Sequence, residues 1–134
     1  MEVNNLTQFV VDKDLLLKIV STVLEEEKST EKSVSVALVD PEKMRELNKA
    51  YREKDYATDV LSFFYNEKDF LGEVVLCPEV IENKAEKSSF TKEICRVTIH
   101  GVLHLLDYTH ERDDDERVMI EKTEYYLKIF HNKL

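Results

Sequence analysis

The stretch from Thr91 to Leu106 constrains this chain most, because it reads as a helix that is apolar on nearly every side. Ile94, Cys95, Val97, Ile99, Val102, Leu103, Leu105 and Leu106 leave it no wide polar face. A helix of that kind is covered on most sides rather than laid on a surface, so the other elements must wrap around it. Ser88 or Ser89 is placed to cap its start. The same stretch carries His100 and His104, which open the run HGVLHLLDYTH, of pattern H-x3-H-x5-H, holding three of the chain's four histidines. Residues four apart on a helix lie on one face, about 5–6 Å apart at Cβ. Two imidazoles so placed can converge on one ion, at about 2.0–2.1 Å each if it is zinc. His110 can join them only if the helix ends first, so the pattern predicts a break near Asp107–Thr109. Three protein ligands with one open position describe a catalytic metal site rather than a closed structural one. For a lone histidine, a satisfied core residue is the better reading; for three at this spacing, a metal site is.

The remaining elements follow from periodicity and punctuation. Residues 2–10 read as a short first strand. Asp12 is a helix N-cap, followed by the stripe Leu15, Leu16, Ile19, Val20, Val23 and Leu24, which fades in the charged run Glu25–Lys28. Residues 33–39 alternate as a strand, with Val34, Val36 and Leu38 on one face. Asp40-Pro41-Glu42 is a helix start, and Met44, Leu47 and Tyr51 supply that helix's inner face. The following REKDYATD reads as a loop. Val60–Tyr65 and Leu71–Cys77 are strands joined by the polar tip Asn66–Asp69, hence a hairpin, and Pro78 opens a short helix to about Lys87. Asp113–Asp115 cap a last helix, with Met119, Thr123, Tyr126, Leu127 and Phe130 as its inner stripe. Interspersed helices and strands point to an α+β or mixed α/β layer, in a single domain over residues 1–134.

Net charge is −9, which excludes nucleic-acid binding through a uniformly basic surface and requires any such site to be a local patch. No apolar run reaches the length of a membrane span, and the N-terminus lacks the pattern of a signal peptide, so a cytoplasmic protein with no membrane partner is expected. Cys77 and Cys95 lie in apolar contexts and read as buried thiols, with a fourth metal ligand as the minor alternative.

The H-x3-H-x5-H spacing equals that of the metzincin proteases, but their general base, a glutamate directly after the first histidine, is replaced by Gly101, and Asp107 stands where their helix-ending glycine would be. A peptidase is therefore the weaker reading. The second informative stretch is NKAYREKDYATDVLSFF, Asn48 to Phe64. Arg52 and Lys54 fall there in a predicted loop, and a guanidinium held near a metal can clamp a phosphate. Taken alone, a solvated charged loop explains both residues better, since 35% of the chain is charged.

Together, T-D-V-L-S-F (Thr58–Phe63) and H-G-x-L-H-L-x-x-Y-x-H (His100–His110), with LNKAYREKD before them and LGEVVLC between, resemble the YbeY family of bacterial metal-dependent endoribonucleases that serve as rRNA maturation factors. The resemblance runs from Val34 onward. It implies an α+β fold with a mixed, mostly parallel four-stranded sheet flanked by about five helices, the buried central helix carrying two metal-ligand histidines. It also implies one Zn2+ per chain, or another divalent metal, on His100, His104 and His110, and a functional arginine at Arg52; Lys54, from the reading of the loop, is the further candidate for binding substrate. The implied substrate is single-stranded RNA, in maturation of the 16S rRNA 3′ end and ribosome quality control, with the ribosome or small-subunit proteins as partners. Two positions depart from the family pattern: Asp107 replaces a glycine, and Thr109 replaces an aspartate that would orient an imidazole. Asp59 and Glu73 are the candidate general bases. The rival from another class is a non-catalytic ribosome-assembly factor whose metal only pins the last helix to the central one; a concave basic patch from Arg45, Lys49, Arg52 and Lys54 would argue for RNA instead.

Overall fold

The computed structural model describes residues 1–65, 67–85, 89–106 and 113–130, with the backbone alone at 113–115. The elements are β1 (Glu2–Asn5), α1 (Lys13–Glu26), β2 (Ser33–Leu38), α2 (Pro41–Arg52), β3 (Val60–Phe64), β4 (Phe70–Leu76), α3 (Pro78–Ala85), α4 (Phe90–Leu105) and α5 (Asp113–Ile129). The four strands form one sheet in the order β1-β2-β4-β3. β1 with β2 and β2 with β4 are parallel, while β3 joins β4 as an antiparallel hairpin. The mixed, mostly parallel α+β sheet implied by the resemblance is the one present.

Strand alternation sorts the side chains between two cores. Val34, Val36 and Leu38 of β2 and Val74 and Leu76 of β4 point into the larger one, shared with α1, α4 and α5. Val39, Leu61, Val75 and Cys77 point the other way, against Met44 of α2. α4 touches α1, α3, α5, β3 and β4, and this is why its sequence is apolar nearly all round. Thr98 is also buried there, its hydroxyl donating to the Ile94 carbonyl at 2.6 Å, so the helix satisfies its own polar residue.

Several expectations hold in detail. Asp12 Oδ1 accepts from Leu15 N at 3.0 Å, Ser89 Oγ accepts from Lys92 N at 3.3 Å, and the whole α1 stripe is buried. All five residues of the α5 stripe are buried as well. The capping assigned to Asp113–Asp115, the alternative cap Ser88 and the end of the short helix at Lys87 lie outside the described residues or side chains.

Other expectations need correction. β1 stops at Asn5 rather than continuing to residue 10, because the Asn5 side chain accepts from Thr7 N and Thr7 Oγ1 and donates to Phe9 O, closing a local turn. Asp40 stands at the N-cap of α2 but makes no capping bond. Tyr51, placed by periodicity on the inner face of α2, is 68% exposed, while Asn48 is fully buried. Tyr51 meets the sheet at its edge strand β3, with its ring edge-on to Phe63.

Candidate metal and phosphate site

The site begins with a glycine. A Cβ on Gly101 would lie 2.7 Å from Val74 Cγ1 and 3.3 Å from Ser62 Oγ, so only glycine lets α4 press this closely on β3 and β4. Ser62 Oγ donates to the Gly101 carbonyl at 2.9 Å, and Gly101 itself is buried. The residue that argues against protease chemistry is therefore also the contact point that fixes the height of α4 over the sheet. Neighbouring this contact, His100 and His104 emerge half-buried on one helix face.

Their rings are T-shaped to each other, with centroids 4.6 Å apart, and their Nε2 atoms approach to 3.0 Å. Two metal–nitrogen bonds of about 2.0–2.1 Å from a common ion would span that distance at an angle of roughly 95°. The pair thus fits one ion; the same separation also suits one N–H donating to the other ring in the neutral, metal-free pair. His110, Asp107 and Thr109 lie outside the described residues, and among those described no third His, Cys, Asp or Glu completes a metal cluster.

The two imidazoles form one wall of a cleft of about 440 Å³, whose other wall brings Arg52, Thr58, Asp59 and Ser62. Arg52 is the last residue of α2 rather than part of a loop. The helix ends there because Glu53 adopts a left-handed conformation (φ 58°), with Glu53 N donating to Lys49 O and Lys54 N to Asn48 O. A non-glycine residue in that region costs roughly 1–2 kcal/mol, and the αL-type bond from Glu53 N to Lys49 O, with the Lys54–Asn48 bond beside it, offsets it. Asn48 Nδ2 then donates to Tyr56 O at 2.9 Å, drawing the next loop, and with it Thr58 and Asp59, toward the histidines.

Not every expected residue comes to this place. Lys54 is exposed in the loop after α2 and does not line the cleft. Arg45 and Lys49 turn onto Asp55, at 2.6 Å and 3.9 Å. The hydrogen bond between Arg45 and Asp55 raises the guanidinium's pKa and lowers the carboxyl's. The expected basic patch is thus partly neutralised, and of its four residues Arg52 is the one that lines the histidine cleft. Of the two candidate bases, Asp59 lines the cleft and lies 3.9 Å from Lys84 Nζ. Glu73 does not: it accepts from Ser35 Oγ in a separate cleft on the other face of the sheet. Cys77 and Cys95 are fully buried and line neither wall, and desolvation pushes the Cys95 thiol up to about 12, so neither is placed as a fourth ligand. Sequence reasoning missed Ser62 and the packing role of Gly101. A lone glycine inside an otherwise apolar helix was the available signal.

The family profile described as Endoribonuclease YbeY matches residues 2–131. The chain is 42% identical over 98 residues to the Endoribonuclease YbeY of Thermotoga petrophila, a match covering 71% of this chain and 65% of that protein's length. It is 39% identical over 134 residues to the Endoribonuclease YbeY of Carboxydothermus hydrogenoformans, covering 94% of each. The solution structure of TM1509 from Thermotoga maritima is similar with a TM-score of 0.71 and 32% identity, over 97% of this chain and 90% of that one.

Proposed function

The chain belongs to the YbeY family, and from that premise we propose that it is a metal-dependent endoribonuclease acting on single-stranded RNA. The observation that carries the reading is the 3.0 Å approach of His100 Nε2 to His104 Nε2 on the wall of a cleft whose opposite wall holds Arg52. His100 and His104, with His110 as the third, would hold one zinc or a similar divalent ion. When bound, such an ion supplies Lewis-acid activation of water and of a phosphoryl oxygen.

The protein's own side chains have the remaining work. Arg52 binds the phosphate and neutralises charge as it builds on the non-bridging oxygens. Its planar donor fork suits two oxygens of one phosphate, which a lysine cannot match. Asp59, which lines the cleft with Lys84 Nζ 3.9 Å from its carboxylate, would accept the proton. Ser62, through its bond to the Gly101 carbonyl, keeps α4 and its histidines at fixed height against β3. The family resemblance extends the proposal to maturation of the 16S rRNA 3′ end and ribosome quality control in the cytoplasm, with the ribosome or small-subunit proteins as partners.

Metal content and cleavage of a single-stranded RNA, measured on the wild type, His104→Ala and Arg52→Ala, test this reading. His104→Ala is expected to lose metal and cleavage together, and Arg52→Ala to keep its metal while losing most cleavage. Full metal retention in His104→Ala would remove the site assignment. Undiminished cleavage by metal-free protein would remove the mechanism, and a metal-loaded wild type that cuts no RNA would favour the non-catalytic assembly factor.

A further inference from the structure

We infer that the open edge of β3 is the track for the RNA strand beside the cut, with Tyr51 and Phe64 stacking against its bases. This rests on the endoribonuclease reading and adds to it where the strand lies. Tyr51, Phe64 and Tyr65 are 68%, 64% and 43% exposed, although they are large and neighbouring. With Arg52 and Ser62 they line a cleft of about 510 Å³. Arg52, Leu61 and Ser62 also line the histidine cleft, so the two form one groove running along β3.

The rings are left open by construction. Phe64 pairs across the hairpin with Gly72, so no cross-strand side chain covers it. Nor can one be added cheaply: a Cβ on Gly72 would stand 2.2 Å from the Phe63 carbonyl oxygen. Tyr51 is braced by a T-shaped contact with Phe63, at 5.0 Å between centroids and 75° between planes, and still offers most of its surface to solvent.

The backbone contributes as well. β3 ends the sheet. Cys77 N donates to Asp59 O and Tyr65 N to Leu71 O, so the odd-numbered residues of β3 bond inward to β4. Antiparallel alternation then turns the N–H groups of Ser62 and Phe64 outward, to the groove. Outward amide donors, a guanidinium and aromatic faces in one line are what an unpaired strand uses: donors for phosphates and π-faces for bases. An extended peptide adding to the edge strand is the other occupant such an edge admits. Arg52, shared with the histidine cleft in a chain of net charge −9, favours the polyanion.

The test uses the metal-loaded protein and a single-stranded RNA oligonucleotide cut at one position, with one abasic residue scanned along it. Tyr51→Ala and Phe64→Ala are each expected to raise KM about tenfold while kcat stays within about threefold. Tyr51→Phe should restore KM, and Tyr125→Ala, at an exposed position of α5, should change nothing. An abasic residue next to the cut should weaken wild type by a similar factor and add little to the loss in the alanine variants. Unchanged KM in both alanine variants, or a loss that ignores abasic position, would overturn the track while leaving the nuclease standing. If the wild type cuts no RNA, fluorescence anisotropy of the same oligonucleotide decides. About tenfold weaker binding by Phe64→Ala than by wild type supports the track without the nuclease, and equal binding by the two removes it.

Discussion

The two walls of the histidine cleft are built by opposite means. On one side α4 is packed on almost every face, and between His100 and His104 it carries a glycine wedged against Val74. On the other side Arg52 is exposed at the last turn of α2, held by a left-handed residue, two backbone hydrogen bonds and one buried asparagine. Rigid imidazoles suit an ion, whose ligand distances tolerate little error. An exposed arginine on a helix end suits a phosphate that arrives with a long, variable chain. On the proposed reading, the difference teaches that the wall offered to a constant partner is fixed by packing, and the wall offered to the substrate by a few polar contacts.

Gly101→Val should break this contrast most severely. The substitution adds a branched side chain where even a Cβ is 2.7 Å from Val74. Overpacking of this kind costs about 1–3 kcal/mol, against a helix-propensity gain of well under 1 kcal/mol. Thermal denaturation should show a drop in Tm of several degrees, roughly 3–10 °C, and metal affinity should fall with it as α4 lifts. A variant that keeps both Tm and metal affinity would show that the height of α4 is not set at this contact.

Arg52→Lys should act on the other wall without touching the first. Losing the bidentate fork removes a charge-assisted bond worth about 1.5–3 kcal/mol, so kcat/KM should fall by roughly ten- to a hundredfold. Tm should move by no more than the equivalent of about 0.5 kcal/mol, as for exposed positions generally. Lys54→Ala, outside the cleft, should change kcat/KM far less. Equal losses at Arg52 and Lys54 would point to diffuse attraction of RNA and not a directed phosphate contact.

How much of this was legible in the sequence follows the same division. α1, α4, α5 and the β3–β4 hairpin could be read because their burial is periodic, and the histidine pair because four residues make one helical turn. The end of α2 could not. Arg52 and Glu53 look like the start of a charged loop, and no glycine marks the left-handed residue that closes the helix. Tyr51 fits the stripe of Met44 and Leu47, but periodicity does not tell where the sheet beneath a helix stops. Asp59 and Glu73 were equal as bases until strand pairing turned Glu73 to the other face, alongside Ser35. Ser62 and Gly101 are far apart in the chain, and only the fold makes their hydrogen bond.

Asn48→Ala sharpens the comparison at intermediate cost. Its Nδ2 bond to Tyr56 O would be lost, while its Oδ1, buried without a hydrogen-bond partner among the described residues, would cease to be a penalty. The two effects oppose, so stability should fall by only about 1 kcal/mol. The loop bearing Thr58 and Asp59 would lose its tether, so cleavage should fall more than stability predicts, with metal content unchanged.

The smallest effect tests the packed wall from inside. Burial raises the Cys95 thiol from 9.0 to about 12 and raises Cys77 in the same direction. At pH 8 both stay protonated in the folded protein, and reaction with a thiol reagent should be no faster than global unfolding allows. Above the ordinary thiol pKa the sign reverses in the unfolded chain, which ionises while folded Cys95 does not. Stability should therefore be unaffected by this group below pH 9 and decline as pH rises from there toward 12. Rapid labelling of native Cys95 at pH 8 would mean that α4 opens locally. The histidines it carries would then be no more fixed than Arg52 across the cleft.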